Sequence, residues 1–554
     1  MKRLYLKIIG AVLAAAAAFP LWACNLSSVK PKITGPYNYY TSVYTKLTDA
    51  DNVFRSIVWN GLDQLLDVEG ATYIILFGGA HDEGTQEVIA EVNEYAKKFG
   101  VTNVYVFDFK LDGGLGESLG VNADISSPGH EYNPQYARIL DKLTNYAAVS
   151  GNTETFSARI PAEVDANSAV YVKEDGSRVD TGTVIDLTPR TLVKIKTPTL
   201  LAFNKSLPGG PVIAVEDSDF AAGELNDGAK RGAYTARLEA FFKKAALGIR
   251  GNGTDSVKSD SFDYYCGENL HICEAPNNTP QSAITHILQP VTYHELIDML
   301  EKLDSFPLLF GGEWCPNTQA IARYVNEQGK YYGVKKIYVF DTRIDGVSSQ
   351  PANGLFTTGE TGVTFNGQAN GVRVKTGYYT THPNIRGDFN DDGVIQKGET
   401  AYGRLYVKLL SYLPGFVSKW NDKIFGADVV DTVRIDSKNY TRICVPALIA
   451  YDKNNKLSDG SPSTVTASFE SEYFWDSNAA NPGTAGTSDL TSTAYRYTES
   501  GLKLFFERFN ALYNPDFVPG GAKTDEESGG GDSDGDGESG DSGESGGESG
   551  GEIC

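Results

Sequence analysis

The sequence has few basic residues, and they are not clustered. Lys and Arg together number 49 against 71 Asp and Glu, which gives a formal net charge of -22. Because nucleic-acid binding requires clustered Lys and Arg, nucleic acid is excluded as an expected partner. From Gly521 onward the chain is almost entirely Gly, Ser, Asp and Glu, and this tail carries about ten of the negative charges. Residues 517–554 are therefore predicted to be a disordered acidic tail, since they contain too few apolar residues to fold.

Long apolar runs are also missing after the N-terminus, so no later segment is expected to span a membrane. At the N-terminus, two basic residues precede an apolar stretch from Ile8 to Phe19, which is typical of a signal peptide. The stretch leads into Leu21-Trp22-Ala23-Cys24, which resembles the lipobox of bacterial lipoproteins. The resemblance implies a signal peptide over 1–23, lipidation of Cys24 and a tether over 24–40. The expected location is the bacterial cell membrane, facing outside the cytoplasm; the alternative is an ordinary cleaved signal with an incidental cysteine.

Cysteine is scarce, with six in 554 residues. Cys266 and Cys273 are close together in a polar stretch, and a local disulfide between them is predicted because disulfides persist outside the cytoplasm. Besides Cys24, an odd number of cysteines remains, so at least one thiol is free or pairs with another molecule. Cys554, at the end of the acidic tail, is one candidate for a free thiol.

An internal repeat runs through the chain. Residues 76–86 (LFGGAHDEGTQ) match 309–319 (LFGGEWCPNTQ), and the match continues without a gap to the shared YVFD sequences at 105–108 and 338–341. Each copy shows an apolar strand, a Gly-Gly turn, an amphipathic helix and a second strand, which together form a βαβ unit. The predicted strands are Tyr73–Phe77 and Val104–Phe107 in the first copy, and Pro307–Phe310 and Ile337–Phe340 in the second. The repeat therefore predicts two units with one fold.

A second shared element comes later in each copy, where a proline opens an apolar strand. Pro198 precedes the run to Phe203, and Pro446 precedes the run to Tyr451. The sequence also predicts a following strand, a closing helix and a helix within the preceding insert of each copy; these are Val212–Val215, Thr235–Leu247 and Tyr136–Ala147 in the first, and Thr464–Phe469, Glu499–Leu512 and Tyr402–Leu413 in the second.

This order of elements resembles the thioredoxin fold. The resemblance implies an α/β protein with two tandem thioredoxin-like domains, each a central mixed sheet flanked by helices with an insert before the cis-proline strand. The predicted domains are 41–250 and 286–516, joined by a linker over 251–285 that contains the cysteine pair. Pro198 and Pro446 then stand where the family has its cis-proline.

The sequence Trp-Cys-Pro-Asn-Thr at 314–318 stands where that family has its Trp-Cys-x-x-Cys motif. The resemblance implies that Cys315 is a nucleophile at a helix start, where unpaired N–H groups favour the thiolate. Thr318 replaces the resolving cysteine; its hydroxyl could hydrogen-bond the thiolate but cannot release a mixed disulfide. Leu309 stands in place of the family's buried acid. In the first copy Asp82 replaces the cysteine, so that copy is not expected to be a redox site.

Cys444 is a second thiol of interest, because it lies two residues before Pro446. The resemblance implies that the proline loop packs against the motif, so a Cys315–Cys444 disulfide would substitute for the missing partner. The alternative is that Cys444 is a buried apolar filler. The neighbouring residues His81, Asp82 and Glu83 of the first copy are not expected to bind a metal, because acids there suit the helix dipole.

The second insert contains an EF-hand-like loop at 388–399 (DFNDDGVIQKGE). Oxygen ligands at positions one, three and five, glycine at six and glutamate at twelve are typical of a calcium loop. The predicted ligands are Asp388, Asn390, Asp392, the Val394 carbonyl, Gln396 and Glu399. We expect the calcium to be structural, and no organic cofactor is expected. The alternative is an acidic surface turn.

Two functions remain open. The first is a monothiol thiol–disulfide oxidoreductase of the cell envelope, with Cys315 as nucleophile and Cys444 or an external thiol resolving. The second is a non-catalytic, calcium-stabilised surface scaffold that uses degenerate thioredoxin folds to bind a protein partner. The missing resolving cysteine favours the second hypothesis, and the intact Trp-Cys-Pro turn favours the first.

Overall fold

The fold is described by a computed structural model over part of the chain. The described residues are 37–119, 122–127, 134–159, 171–172, 178–179, 189–250, 262–266, 286–313, 316–342, 344, 356–358, 371–373, 403–416, 432–435, 438–441, 443, 446–470 and 493–519. Over these residues, no helix is both long and apolar enough to cross a lipid bilayer.

The first unit is built on a five-stranded mixed sheet with strand order β1-β3-β2-β8-β9. Its strands are β1 (Phe54–Ser56), β2 (Tyr73–Phe77), β3 (Val104–Phe107), β8 (Thr199–Phe203) and β9 (Val212–Glu216). The first three are parallel to one another, and the last two run antiparallel to their neighbours. The helices of this unit are α1 (Tyr39–Val43), α2 (Trp59–Leu65), α3 (Glu83–Lys98), α4 (Pro134–Lys142), α5 (Tyr146–Ser150) and α6 (Gly228–Arg250).

The second unit repeats this arrangement with strand order β10-β12-β11-β17-β18. Its strands are β10 (Leu288–Val291), β11 (Ser305–Phe310), β12 (Ile337–Phe340), β17 (Ala447–Asp452) and β18 (Val465–Glu470). The directions match those of the first sheet. The helices are α7 (Tyr293–Lys302), α8 (Pro316–Tyr331), α9 (Gly403–Ser411) and α10 (Thr493–Tyr513). The predicted α/β class, with two mixed sheets flanked by helices, is confirmed.

The inserts contribute short antiparallel pairs beside the main sheets. These pairs are β4 (Thr155–Arg159) with β7 (Pro189–Val193), β5 (Tyr171–Val172) with β6 (Arg178–Val179), β13 (Phe356–Thr358) with β14 (Gly371–Arg373), and β15 (Thr432–Ile435) with β16 (Lys438–Thr441). Single 3₁₀ turns lie at Glu117–Leu119, Glu224–Asn226 and Tyr264–Cys266.

Each sheet is covered on both faces, which explains why its central strands are apolar throughout. Every residue of β2 and of β11 is buried. One face of each sheet packs against helices of its own unit, α3 and α6 in the first and α8 and α10 in the second. The other faces belong to a single hydrophobic cluster that contains residues of both units. The two units therefore share a core.

The segment that precedes each sheet packs in the core of its own unit and also contacts the other unit. Tyr37 comes just before α1, and its hydroxyl donates to Asp298 of the second unit at 2.5 Å. Phe262 comes before the turn that leads into the second unit, and its backbone N–H donates to the hydroxyl of Tyr105 in the first at 2.5 Å. Residues 262–266, which fall within the predicted linker, are thus packed structure.

Most predicted elements are confirmed to within a few residues, but the two closing helices begin seven and six residues before their predicted starts, at Gly228 and Thr493. The helix expected over Tyr136–Ala147 is broken into α4 and α5, because the chain turns at Leu143 and restarts at Asn145. Neither β1 with α2 nor β10 with α7 was predicted. These segments share little beyond Leu62 with Leu296 and Leu66 with Leu300, so residue identity alone does not reveal them.

Candidate functional site

In the first unit, the Gly-Gly turn after β2 brings Asp82 to the N-cap of α3. The Asp82 carboxylate accepts two hydrogen bonds from Thr85, one from its backbone N–H at 2.9 Å and one from its hydroxyl at 2.5 Å. Gly78 is required here, because a Cβ at this position would lie 2.3 Å from the Thr85 Oγ1. In the first unit, a carboxylate that accepts two hydrogen bonds therefore occupies the position equivalent to Cys315.

The neighbours of Asp82 face different partners. The Nδ1 of His81 lies 3.2 Å from Oδ2 of Asp108. Burial lowers the pKa of His81, but the neighbouring Asp108 carboxylate outweighs it and raises the pKa above its usual value. Burial also raises the pKa of Asp82, despite the opposing hydrogen bonds from Thr85. Within the described ranges, no three His, Cys, Asp or Glu side chains converge on a metal position.

The second unit has the same turn, with Thr318 in the place of Thr85. Thr318 is 2 % exposed, and its Oγ1 has no hydrogen-bond partner among the described residues. A Cβ on Gly311 would lie 2.6 Å from that oxygen, so the close approach seen at Gly78 is repeated. Helix α8 begins at Pro316, which suits a first helical position. The Trp314–Cys315 dipeptide between these points lies outside the described residues.

The two proline-led strands lie where the repeat predicts. The Thr197–Pro198 peptide bond is cis, and a Cβ on Gly84 at the start of α3 would lie 2.6 Å from the Pro198 ring. This proline therefore faces the site in the first unit. Pro446 is buried directly before β17, whereas its bond with Val445 lies outside the described part of the chain.

Several other predicted site residues also lie outside the described residues. They are Cys24, Cys273, Cys444, Cys554 and the calcium loop at 388–399. Cys266 ends the 3₁₀ turn Tyr264–Cys266, but its side chain is not among those described. Leu309, predicted to replace the buried acid, is a buried residue of β11, 1 % exposed.

Polar contacts between the units lie close to both sites. Asn60 on α2 donates to Asp341, at the end of β12, with an Nδ2–Oδ2 distance of 3.2 Å. Gln64, one turn further along α2, donates to the carboxylate of Glu313 in the loop before Cys315. At the position of Asn60 in the second unit stands His294, which lies so close to Gly113 that a Cβ there would be 2.7 Å from the His294 Cβ.

His294 is half-buried at this interface, with Gly113 and Tyr39 of the first unit against it. Burial lowers the pKa of its imidazole to about 4; His81 acts in the same direction, and Asp108 and Asp298 oppose it less strongly. Its ring lies 5.5 Å from that of Tyr39 in α1. None of these interface residues was predicted from the sequence. They lie on short elements whose sequences differ between the two copies, so comparing residue identities does not reveal them.

Searches of family models, curated proteins and solved structures found no significant match to this chain. The proposed function therefore rests on the geometry of the two sites and on the residues that differ between them.

Proposed function

We propose that the chain is a lipid-anchored, extracytoplasmic thioredoxin-like protein with a single-cysteine thiol–disulfide site at Cys315. The order of elements in each unit supports the thioredoxin-like assignment: a strand, the site helix, a second strand, and a proline-led strand paired with the next. The lipobox-like sequence ending at Cys24 supports the anchor.

The observation that carries the thiol site is the buried hydroxyl of Thr318. Its counterpart Thr85 donates to an anion, the carboxylate of Asp82, at the position equivalent to Cys315. A Cys315 thiolate would receive the same O–H and N–H donors, and hydrogen bonds to a charged group are the stronger kind. Burial opposes this effect, as it does at Asp82, so the measured thiol pKa reports which of the two prevails.

The proposed chemistry is thiol–disulfide exchange. The Cys315 thiolate attacks one sulfur of a substrate disulfide, forms a mixed disulfide and releases the other sulfur as a thiolate. A second thiolate, from Cys444 or an external thiol, then attacks the mixed disulfide and releases either Cys315 or the substrate. Thr318 takes no part in that second step, because a hydroxyl cannot form the disulfide.

Replacing Thr318 with Val is expected to raise the pKa of the Cys315 thiol by about one to two units. The reason is that a hydrogen bond to a charged group contributes about 1.5–3 kcal/mol, and one pKa unit corresponds to about 1.4 kcal/mol. The measurement is the rate of Cys315 alkylation against pH, followed on its own peptide by mass spectrometry.

The control is Thr85→Val, which makes the same change in the first unit and should leave the Cys315 profile unchanged. Cys444→Ser tests the resolving thiol, since it should abolish any Cys315–Cys444 disulfide. An inflection near the free-cysteine value of about 8.5 in the wild type, with no disulfide to either cysteine, would reject the redox function.

A non-catalytic scaffold is the second candidate, and one observation favours it. Asp82 and Thr85 show that this turn can serve as an ordinary helix cap with no chemistry. The core shared by the two units would suit a rigid binding body. Rejection of the redox function by the alkylation profile leaves this candidate in place.

We also propose that the loop at 388–399 binds a structural calcium ion, on the strength of its ligand pattern. Chelation is expected to lower the melting temperature, because a ligand at about a hundred times its dissociation constant stabilises by about 2.7 kcal/mol. Thermal unfolding with calcium and with chelator measures the effect. Asp388→Ala should abolish the difference; an equal melting temperature in all conditions would contradict the site.

A further inference from the structure

Helix α2 of the first unit lies against the site face of the second. Asn60 and Gln64 are four residues apart and so project from the same side of the helix. Asn60 reaches Asp341 at the end of β12, and Gln64 reaches Glu313 in the loop between β11 and α8. Both contacts hold backbone segments that border the start of α8.

The equivalent helix of the second unit does not do the same for the first. Asp298 stands on α7 where Gln64 stands on α2, but it accepts hydrogen bonds from Tyr37 at 2.5 Å and Ser42 at 2.9 Å. Those residues belong to the segment at and before α1 rather than to the site loop. Each unit therefore contributes the equivalent helix to the interface, but only α2 contacts the site loop of the other unit.

The loops before the two site helices also differ in their contacts with the other unit. In the first unit, Ala80 stands where the second has Glu313, and its carbonyl accepts from the Gln86 amide of the same unit at 2.7 Å. The Glu313 side chain instead extends to the other unit. The hydrogen bond of Glu313 with Gln64 therefore connects the site loop of the second unit to helix α2 of the first.

We infer that Gln64, with Asn60 beside it, is a positioning residue that holds the loop leading to Cys315. This inference rests on the proposed thiol site. It gives the first unit a role despite Asp82: its α2 is the fixed support on which the second unit's site is set. The amide of Gln64 also holds the negative charge of Glu313, which is two residues from the thiol, in one place.

The test measures Cys315 alkylation against pH in the full chain carrying Gln64→Leu. We expect the plateau rate at high pH, which reports access to the thiol, to rise at least threefold. We also expect the inflection of the alkylation profile to move to higher pH. Glu313 loses the donor that offsets its negative charge, and an unbalanced negative charge near the thiol disfavours the thiolate. The matched control is Asp298→Leu, at the equivalent position of α7; it removes interface hydrogen bonds but should leave both quantities as in the wild type.

Reversing the pair separates positioning from general loss of stability. Gln64→Glu alone places two carboxylates together and should disturb the profile, whereas Gln64→Glu combined with Glu313→Gln restores one donor and one acceptor. The double variant is expected to return the plateau rate to within twofold of the wild type. Melting temperatures of all variants show whether each one is folded.

The outcomes distinguish this inference from the function on which it rests. An ordinary wild-type inflection rejects the thiol function, but the plateau rate still reports the loop. Plateau and inflection that are the same in Gln64→Leu as in the wild type would overturn the inference. So would a change of equal size in Asp298→Leu, because the effect would then belong to the interface as a whole.

Discussion

Replacing His294 with Asn is expected to remove an acid-dependent loss of stability of about 3 kcal/mol. In the unfolded chain this histidine binds a proton below its ordinary pKa of 6.5, whereas in the folded protein burial delays protonation to about pH 4. Stability is therefore lost as the pH falls from 6.5 towards 4, and each unit of difference contributes about 1.4 kcal/mol. Asn is the natural replacement, because Asn60 occupies the equivalent position.

Other titrating groups face His294, and their contributions need to be separated from its own. Asp108 and His81 of the first unit and Asp298 on its own helix are the charges that act on it. The pKa of His81 is raised, so the stability it contributes is present below 6.5 and lost as the pH rises through its folded pKa, the opposite trend. Comparing variant with wild type at each pH largely cancels these contributions.

Urea unfolding at pH 7.5 and at pH 4.5 measures the difference. The control is Leu504→Asn, at an exposed side chain with no ionisable group and outside this contact. That control should keep the acid loss of the wild type. If His294→Asn loses as much stability on acidification as the wild type does, His294 is not the group responsible.

Tyr136→Phe and Tyr406→Phe are each expected to lower the free energy of unfolding by about 2–4 kcal/mol. The Tyr136 hydroxyl accepts from the Ile195 N–H at 2.7 Å and donates to the Val193 carbonyl at 2.9 Å. Removing it leaves two backbone groups without their partner, and each such buried group costs about 1–3 kcal/mol. Both tyrosines are fully buried, so water cannot easily replace the hydroxyl.

Tyr406 repeats this arrangement in the second unit. Its hydroxyl accepts from the Ile443 N–H at 2.9 Å and donates to the Thr441 carbonyl at 2.5 Å. Equal effects of the two variants in chemical denaturation would show that the inserts are equivalent parts of the repeat. Tyr331→Phe, at a side chain 53 % exposed, is the control and should change stability little. A Tyr136→Phe cost no larger than that of the control would contradict the role of the hydroxyl.

How far the sequence predicts the structure depends on the length and burial of each element. The predicted bounds are confirmed for three strands, Tyr73–Phe77, Val104–Phe107 and Ile337–Phe340. A strand covered on both faces is a continuous apolar run, so the sequence shows clearly where it begins and ends. Strand β1 is three residues long, too short to show a period, and its place becomes evident only from its pairing with β3.

The candidate site divides in the same way. Residue identity alone shows that Thr318 is equivalent to Thr85 and Cys315 to Asp82, since those positions follow identical Gly-Gly turns. The burial of the Thr318 hydroxyl and the contact of Gln64 with Glu313 depend on distances between segments far apart in the chain. No local pattern encodes such distances.

The sequence by itself therefore determined that the chain contains two copies of one α/β unit, and that only the second has a cysteine at the site position. Both follow from local patterns: apolar periodicity, glycine turns and residue identity over a short span. Only the tertiary structure decided how the copies meet, with Tyr37 and Phe262 each bonded to the other copy and His294 at their boundary. The physical reason is that a shared core is chosen by the fit of two folded surfaces, which neither copy's sequence specifies alone.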